Sequence, residues 1–270
     1  MSLRFEKYEG LGNDFVIVEA ASMERELAVR ICDRHRGVGA DGVLLTGLDG
    51  EGAPFMRVIN ADGSEPEMCG NGLRCVARYL AARGLVRETR FVVQTEAGPH
   101  ACEVHEGGDV TVAMRPASLV PREVPIAGEA PMIDAPLAVG GRTLRVTAVS
   151  MGNPHAVTFD DVGETRAALG PLVEGHPTFT ARANAGFAAM RGERAIDLFV
   201  FERGVGWTEA CGTGACAAAV AAVETGRAPR GEAITVRLPG GPLSIVVGTP
   251  GAPVMMRGPA RRVFSGALGD

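Results

Sequence analysis

"EMCGNGLRC", residues 67–75, sets a cysteine directly ahead of Gly-Asn-Gly and a run of helix formers. "EACGTGAC", residues 209–216, repeats the arrangement in the second half of the chain. Working outward from these two points, the halves share one plan at a nearly fixed offset. "GLGNDFV" (10–16) matches "SMGNPHAV" (150–157), each placing Gly-Asn between strand-like segments. The helical patterns "MERELAVRICDRH" and "ETRAALGPLVEGH" follow, then "GADGVLL" (39–45) against "RANAGFAAM" (182–190). Strands "PFMRVIN" (54–60) and "AIDLFVF" (195–201) lead to Asn60 and Glu202 ahead of the two cysteine motifs. Element order repeated in register argues for duplication.

"LRCVARYLAARG" and "ACAAAVAAVETG" lack a broad polar face, which marks buried helices. The expected fold is therefore α/β of the α+β type, with two pseudo-symmetric domains, each a mostly antiparallel or mixed sheet wrapped around a central helix. The expected halves are 1–115 and 116–257. Two prolines interrupt the strand pattern near the crossover, and 258–270 is expected to return to the first half.

Composition narrows the chemistry. A length of 270 residues suits one large domain or two of modest size. Net charge is −5 without a basic block, which disfavours nucleic acid and anionic membranes as partners. No apolar run approaches the roughly 18 residues a membrane helix needs. The opening "MSLRFEKYEG" lacks the basic and apolar regions of a secretory signal, so the expected location is cytoplasmic. The six cysteines are too few for a disulfide scaffold, and their spacing is not that of zinc knuckles, so no metal is expected. Cys32, Cys75, Cys102 and Cys216 read as packing residues. Lys7 is the one lysine among 27 basic residues and has no phosphate cradle beside it, which disfavours pyridoxal phosphate; no cofactor is expected.

A cysteine that opens a buried helix lies beside unpaired backbone N–H groups and the positive end of the helix dipole. The dipole favours its thiolate, and the amides of Gly70 and Asn71, or of Gly212 and Thr213, can bind a carboxylate. Two such helix starts, face to face, would bracket the carbon next to that carboxylate. One thiolate removes its proton while the opposite thiol delivers another to the far face, inverting the centre. The enediolate-like carbanion is stabilised by both dipoles. Paired bases also account for the twofold plan.

The blocks "GLGNDF", "NADGSEPEMCGNGLRC", "MGNPHAV", "NAGF" and "ERGVGWTEACGTGAC" together resemble the diaminopimelate epimerase family. The resemblance implies a pyridoxal-independent homodimer that interconverts LL- and meso-2,6-diaminopimelate, a precursor of lysine and peptidoglycan. It also implies Cys69 and Cys211 as the acid/base pair, with His155 and Glu202 adjusting their protonation. Substrate contacts carried over by motif are Asn13, Asn60, Asn153, Asn184, Glu202 and Arg203, with the amides of Gly70, Asn71, Gly212 and Thr213. Gly42 stands where some members carry a glutamine contact, and Trp207 is expected to shield the site from water. Three other readings stay open. One is a proline-, hydroxyproline- or histidine-type racemase of the same fold; the others are a thiol redox protein and a structural zinc protein.

Overall fold

Parallel neighbours in a sheet need a crossover long enough for a helix, and each half of this chain supplies two. The computed structural model describes residues 2–66 and 68–269; Glu67, at the head of the first cysteine motif, lies outside them. The chain divides into two compact units, Met1–Ala113 with Arg257–Asp270, and Met114–Met256.

The first unit opens with β1 (Leu3–Gly10), β2 (Asn13–Glu19), α1 (Arg25–Cys32), β3 (Gly42–Leu48) and β4 (Pro54–Asn60). It continues with α2 (Gly70–Ala82), β5 (Arg90–Thr95), β6 (Gly98–Val104) and β7 (Asp109–Pro116), within which the chain passes to the second unit. That unit contains β8 (Ala135–Val139), β9 (Arg142–Ser150), β10 (Pro154–Thr158), α3 (Arg166–Glu174), β11 (Asn184–Met190) and β12 (Ala195–Glu202). Then come β13 (Gly206–Thr208), α4 (Gly212–Glu224), β14 (Ala233–Leu238), β15 (Gly241–Val246) and β16 (Pro253–Pro259). The closing strand, β17 (Arg261–Leu268), pairs antiparallel with β1.

The two units repeat one pairing scheme. β1–β2 is antiparallel, β2–β3 parallel across α1, β3–β4 antiparallel, β4–β5 parallel across α2, and β5–β6 antiparallel. In the second unit β9–β10 is antiparallel, β10–β11 parallel across α3, β11–β12 antiparallel, β12–β14 parallel across α4, and β14–β15 antiparallel.

Each sheet curls around its longer helix. α2 packs on β1, β2, β3, β4, β6 and β17, and α4 on β9, β10, β11, β12, β14 and β15. The shorter helix covers the opposite face. Ala28 and Ile31 of α1 join Val16, Val18, Val43 and Leu45 in one core, and Leu169 and Val173 of α3 join Leu144, Val146, Ala185 and Phe187 in the other. Strands covered on both faces must be apolar without alternation, which "VLL" at 43–45 and "AGFA" at 185–188 satisfy. α4 carries almost only alanine, valine and glycine because strands close around it on several sides. α2 departs from the expectation of an apolar circumference: Arg74 is fully buried, its Nε donating to Pro259 O at 3.2 Å and Nη1 to Gly70 O at 3.5 Å.

Candidate active site

In both units the cysteine is the residue that caps the central helix. Cys69 has φ −136° and ψ 112°, and its sulfur accepts from Gly72 N at 3.4 Å. Cys211 has φ −129° and ψ 101°, and its sulfur accepts from Gly214 N at 3.3 Å. The sulfur thus takes the third helix amide, while the first two have no intrahelical acceptor and remain available to an anion. These are the amides of Gly70 and Asn71, and of Gly212 and Thr213. The second glycine of each motif is a close-approach residue. A Cβ on Gly214 would lie 3.0 Å from both Cys211 Sγ and Val200 Cγ2, and one on Gly72 would lie 3.0 Å from Leu44 Cδ2.

In the first unit the β1–β2 hairpin turns at Leu11 and Gly12, with φ of 59° and 83°, and delivers Asn13 to the helix start. Asn71 Nδ2 donates to Asn13 Oδ1 at 3.3 Å, and Asn13 Nδ2 donates to Asp41 Oδ2 at 2.7 Å. Asp41 is fixed in turn by Arg34, whose Nη2 reaches Asp41 Oδ1 at 2.7 Å and Asp14 Oδ1 at 2.8 Å. Lys7 completes the cluster, with Nζ 2.6 Å from Asp14 Oδ2 and also bonded to Gly39 O. Burial alone would raise the Asp14 pKa, but the hydrogen bonds from Arg34 and Lys7 outweigh it and bring the carboxyl down to about 2. Asn71 Oδ1 is buried with no hydrogen-bond partner among the described residues. Asn60 points into its own turn, donating from Nδ2 to Ser64 Oγ at 2.9 Å.

In the second unit Asn153 Nδ2 donates to Thr213 Oγ1 at 3.4 Å, and Thr213 Oγ1 lies 3.7 Å from Cys211 Sγ. His155 Nε2 lies 3.0 Å from Asn153 Oδ1. Burial, assisted by the Arg203 charge, depresses the His155 pKa to about 3, so the ring is neutral. Asn184 is tied to the backbone through one hydrogen bond at each end of its amide. Nδ2 donates to Pro154 O at 2.9 Å and Oδ1 accepts from Arg203 N at 2.9 Å, which leaves a second N–H. The Arg203 guanidinium reaches Ala181 O at 2.9 Å. Glu174, buried at 2% side-chain exposure, ties down the same turn by accepting from Gly204 N at 3.2 Å and pairing with Arg182.

Glu202 accepts from Thr208 Oγ1 at 2.6 Å and also receives the Cys211 thiol. Burial raises the Glu202 pKa, and these two donors oppose the rise. Which of the two cysteines rests as thiolate is open from the sequence; at Cys211 burial and then the Glu202 charge push the pKa well above the ordinary thiol value, despite the Thr213 and Gly214 donors. Desolvation outweighs the hydrogen bonds that the helix start gives the sulfur. The resting state at Cys211 is the thiol. Trp207 is 41% exposed. Its ring packs on Phe201 at 5.4 Å and Phe187 at 5.8 Å, and it walls a cavity of about 350 Å³ with Arg166 and Phe199 that none of the expected substrate contacts lines. At Gly42 an added Cβ would meet Ile59 O at 3.0 Å, so a side chain there requires the β3–β4 pair to shift.

The family model described as diaminopimelate epimerase matches residues 5–120 and 147–263. A diaminopimelate epimerase of Synechocystis sp. is 47% identical over 279 residues, covering 98% of this chain and 99% of that protein. One from Desulforudis audaxviator is 48% identical over 277 residues, covering 98% of each. Among solved structures, a hydroxyproline epimerase of Agrobacterium vitis matches with a TM-score of 0.72 at 16% identity, over 99% of this chain and 92% of that one. A phenazine biosynthesis protein of Bacillus anthracis matches with a TM-score of 0.69 at 16% identity, over 100% of both. At such identities the two structures share the fold.

Proposed function

The chain belongs to the diaminopimelate epimerase family, and from that premise we propose that it interconverts LL- and meso-2,6-diaminopimelate by proton transfer between Cys69 and Cys211. The observation that carries the mechanism is the repeated cap: two cysteines with matching backbone angles and the same sulfur–amide bond, at equivalent points of two equivalent units.

In the LL to meso direction Cys69 acts as thiolate and takes the α-proton, becoming a thiol. The electron pair left on the α-carbon delocalises into the carboxylate, whose oxygens are held by the amides of Gly70–Asn71 and Gly212–Thr213. The Cys211 thiol then gives its proton to the opposite face and becomes a thiolate, so the roles are exchanged for the reverse reaction. That Cys211 is held protonated supports its part as the first acid. Between turnovers Cys69 gives its new proton up to solvent, and Glu202, hydrogen-bonded to Cys211, relays a proton from solvent back to the Cys211 thiolate. Asn71 Oδ1, buried and unsatisfied among the described residues, suits an ammonium N–H of the substrate. Asn13, Asn153, Asn184 and Arg203 hold the distal amino-acid end, with Asn13 and Asn153 presenting side-chain amides; Asn60 contributes its carbonyl oxygen. His155, neutral, fixes Asn153.

The reaction needs no external electron sink, and Lys7 is engaged with Asp14. No described helix is long and apolar enough to cross a membrane, and we place the enzyme in the cytoplasm, supplying lysine and peptidoglycan synthesis. We further infer a homodimer. β17 is exposed at five consecutive positions, 261–265, including Val263 and Phe264, and exposed apolar side chains on a strand gain from cover by a second copy.

Proton NMR of LL-diaminopimelate with the purified chain in deuterated buffer tests the reading, with L-proline, trans-4-hydroxy-L-proline and L-histidine run in parallel. Formation of the meso isomer with loss of the α-proton signal is the expected result. Exchange of proline or hydroxyproline, with diaminopimelate untouched, would move the assignment to the racemases that share the fold.

A further inference from the structure

Glu202 sits at the end of β12, and the chain reverses through Arg203–Gly204–Val205 into β13 before reaching Cys211. In that hairpin Thr208 lies opposite Val200. Side chains two apart on a strand share a face, so Thr208 is the diagonal neighbour of Glu202. Its hydroxyl lies 2.6 Å from Glu202 Oε1, a short O–H to carboxylate bond. We propose that Thr208 is a positioning residue for the reaction: its hydroxyl pins one oxygen of Glu202 and holds that carboxylate as the aimed acceptor of the hydrogen bond from the Cys211 thiol. This rests on the epimerase reading, since it assigns the support of the acid on one face.

The chemistry is directional. A threonine hydroxyl donates to a carboxylate, which favours the ionised form, and Val at this position keeps the shape but removes the donor. The groups that face the Glu202 carboxylate are the Thr208 hydroxyl from β13 and the Cys211 thiol from α4. Charged groups on the other packed elements are engaged elsewhere. Arg166 of α3 lies over the Phe199 ring at 3.6 Å, Glu174 of α3 bonds Arg182 and Gly204 N, and Arg237 of β14 lies 3.5 Å from Asp197. Arg203, the next residue, turns its guanidinium to Ala181 O. The loss of one donor is therefore uncompensated.

The test is a carboxyl ¹³C NMR titration of the full chain, with Glu202 assigned by Glu202→Gln. Thr208→Val is expected to raise the Glu202 midpoint by about one pH unit, the size of one hydrogen bond to a charged group. Thr208→Ser is expected to leave it within a few tenths. The acid limb of kcat/KM for LL-diaminopimelate should move upward with the midpoint in the Val variant and stay in the Ser variant. Thr208→Ala replaces Val if the latter does not fold. A midpoint shared by wild type and the Val or Ala variant overturns the inference. A wild type that titrates as described but does not epimerise diaminopimelate leaves the Thr208 bond standing and removes the reaction assigned to it.

Discussion

At the scale of single residues, the side-chain amides proposed to meet substrate are oriented by groups outside that proposed set. Asp41 can only accept, so Asn13 must turn Nδ2 toward it, and Asn71 must then turn Nδ2 toward Asn13. Asp41→Asn breaks this logic, because an amide at 41 tolerates both orientations. KM for diaminopimelate is expected to rise about tenfold with kcat changed less than about threefold, in steady-state kinetics. Equal losses in both parameters would mean that the residue acts on the chemistry instead. Cys211→Ser should lower kcat by about 10³-fold or more in the same assay, since a hydroxyl is a poor acid and base at neutral pH. The two cysteines were legible because each opens a helix within a short motif whose local physics is distinctive, and the asparagines and Glu202 were named through the family resemblance. Asp41, Arg34, Glu174 and Thr208 were not. Their roles come from contacts between segments far apart in the chain or across a hairpin, and a lone Asp, Arg or Thr carries no pattern. The sequence leaves the Cys211 protonation state open for a related reason: a helix start is visible in it, and the degree of burial around that start is not.

At the scale of elements, composition followed the cover each element receives. α4 is hydrophobic around its circumference because six strands pack on it, and that repeat of small residues could be read directly. Arg74 could not, because its partner Pro259 lies near the other end of the chain. The three-residue β13 was also invisible, lying inside a glycine-rich motif. Close strand approach predicts intolerance of bulk on α4. Ala218→Leu should cost about 1–3 kcal/mol by chemical denaturation, whereas the same change at exposed Ala127 should stay within about 0.5 kcal/mol. Equal effects at the two positions would mean that α4 is loosely packed.

At the scale of the whole molecule, buried ionisable groups set a pH window for stability. His155 has a folded pKa of about 3, below its ordinary value near 6.5, so between these values the unfolded chain binds the extra proton. Stability is present above about 6.5 and drains as pH falls toward 3, with Asp14, held at about 2, adding a further loss below its ordinary range. On the alkaline side burial raises Cys75 and Cys102 to about 12, so the folded chain keeps protons that the unfolded chain releases. Stability there is complete below the ordinary thiol value and drains as pH rises through about 9 to 12. Urea unfolding against pH should give a plateau from about 6.5 to 8.5, and His155→Gln should flatten the acid slope; an unchanged slope would contradict the neutral buried ring. The most direct test of the two-thiol mechanism is the isotope content of both isomers early in the conversion of LL-diaminopimelate in D₂O. Two bases predict solvent deuterium at the inverted centre of the meso product and none in the remaining LL substrate. Deuterium in recovered substrate at the same rate as in product would mean that one base serves both faces.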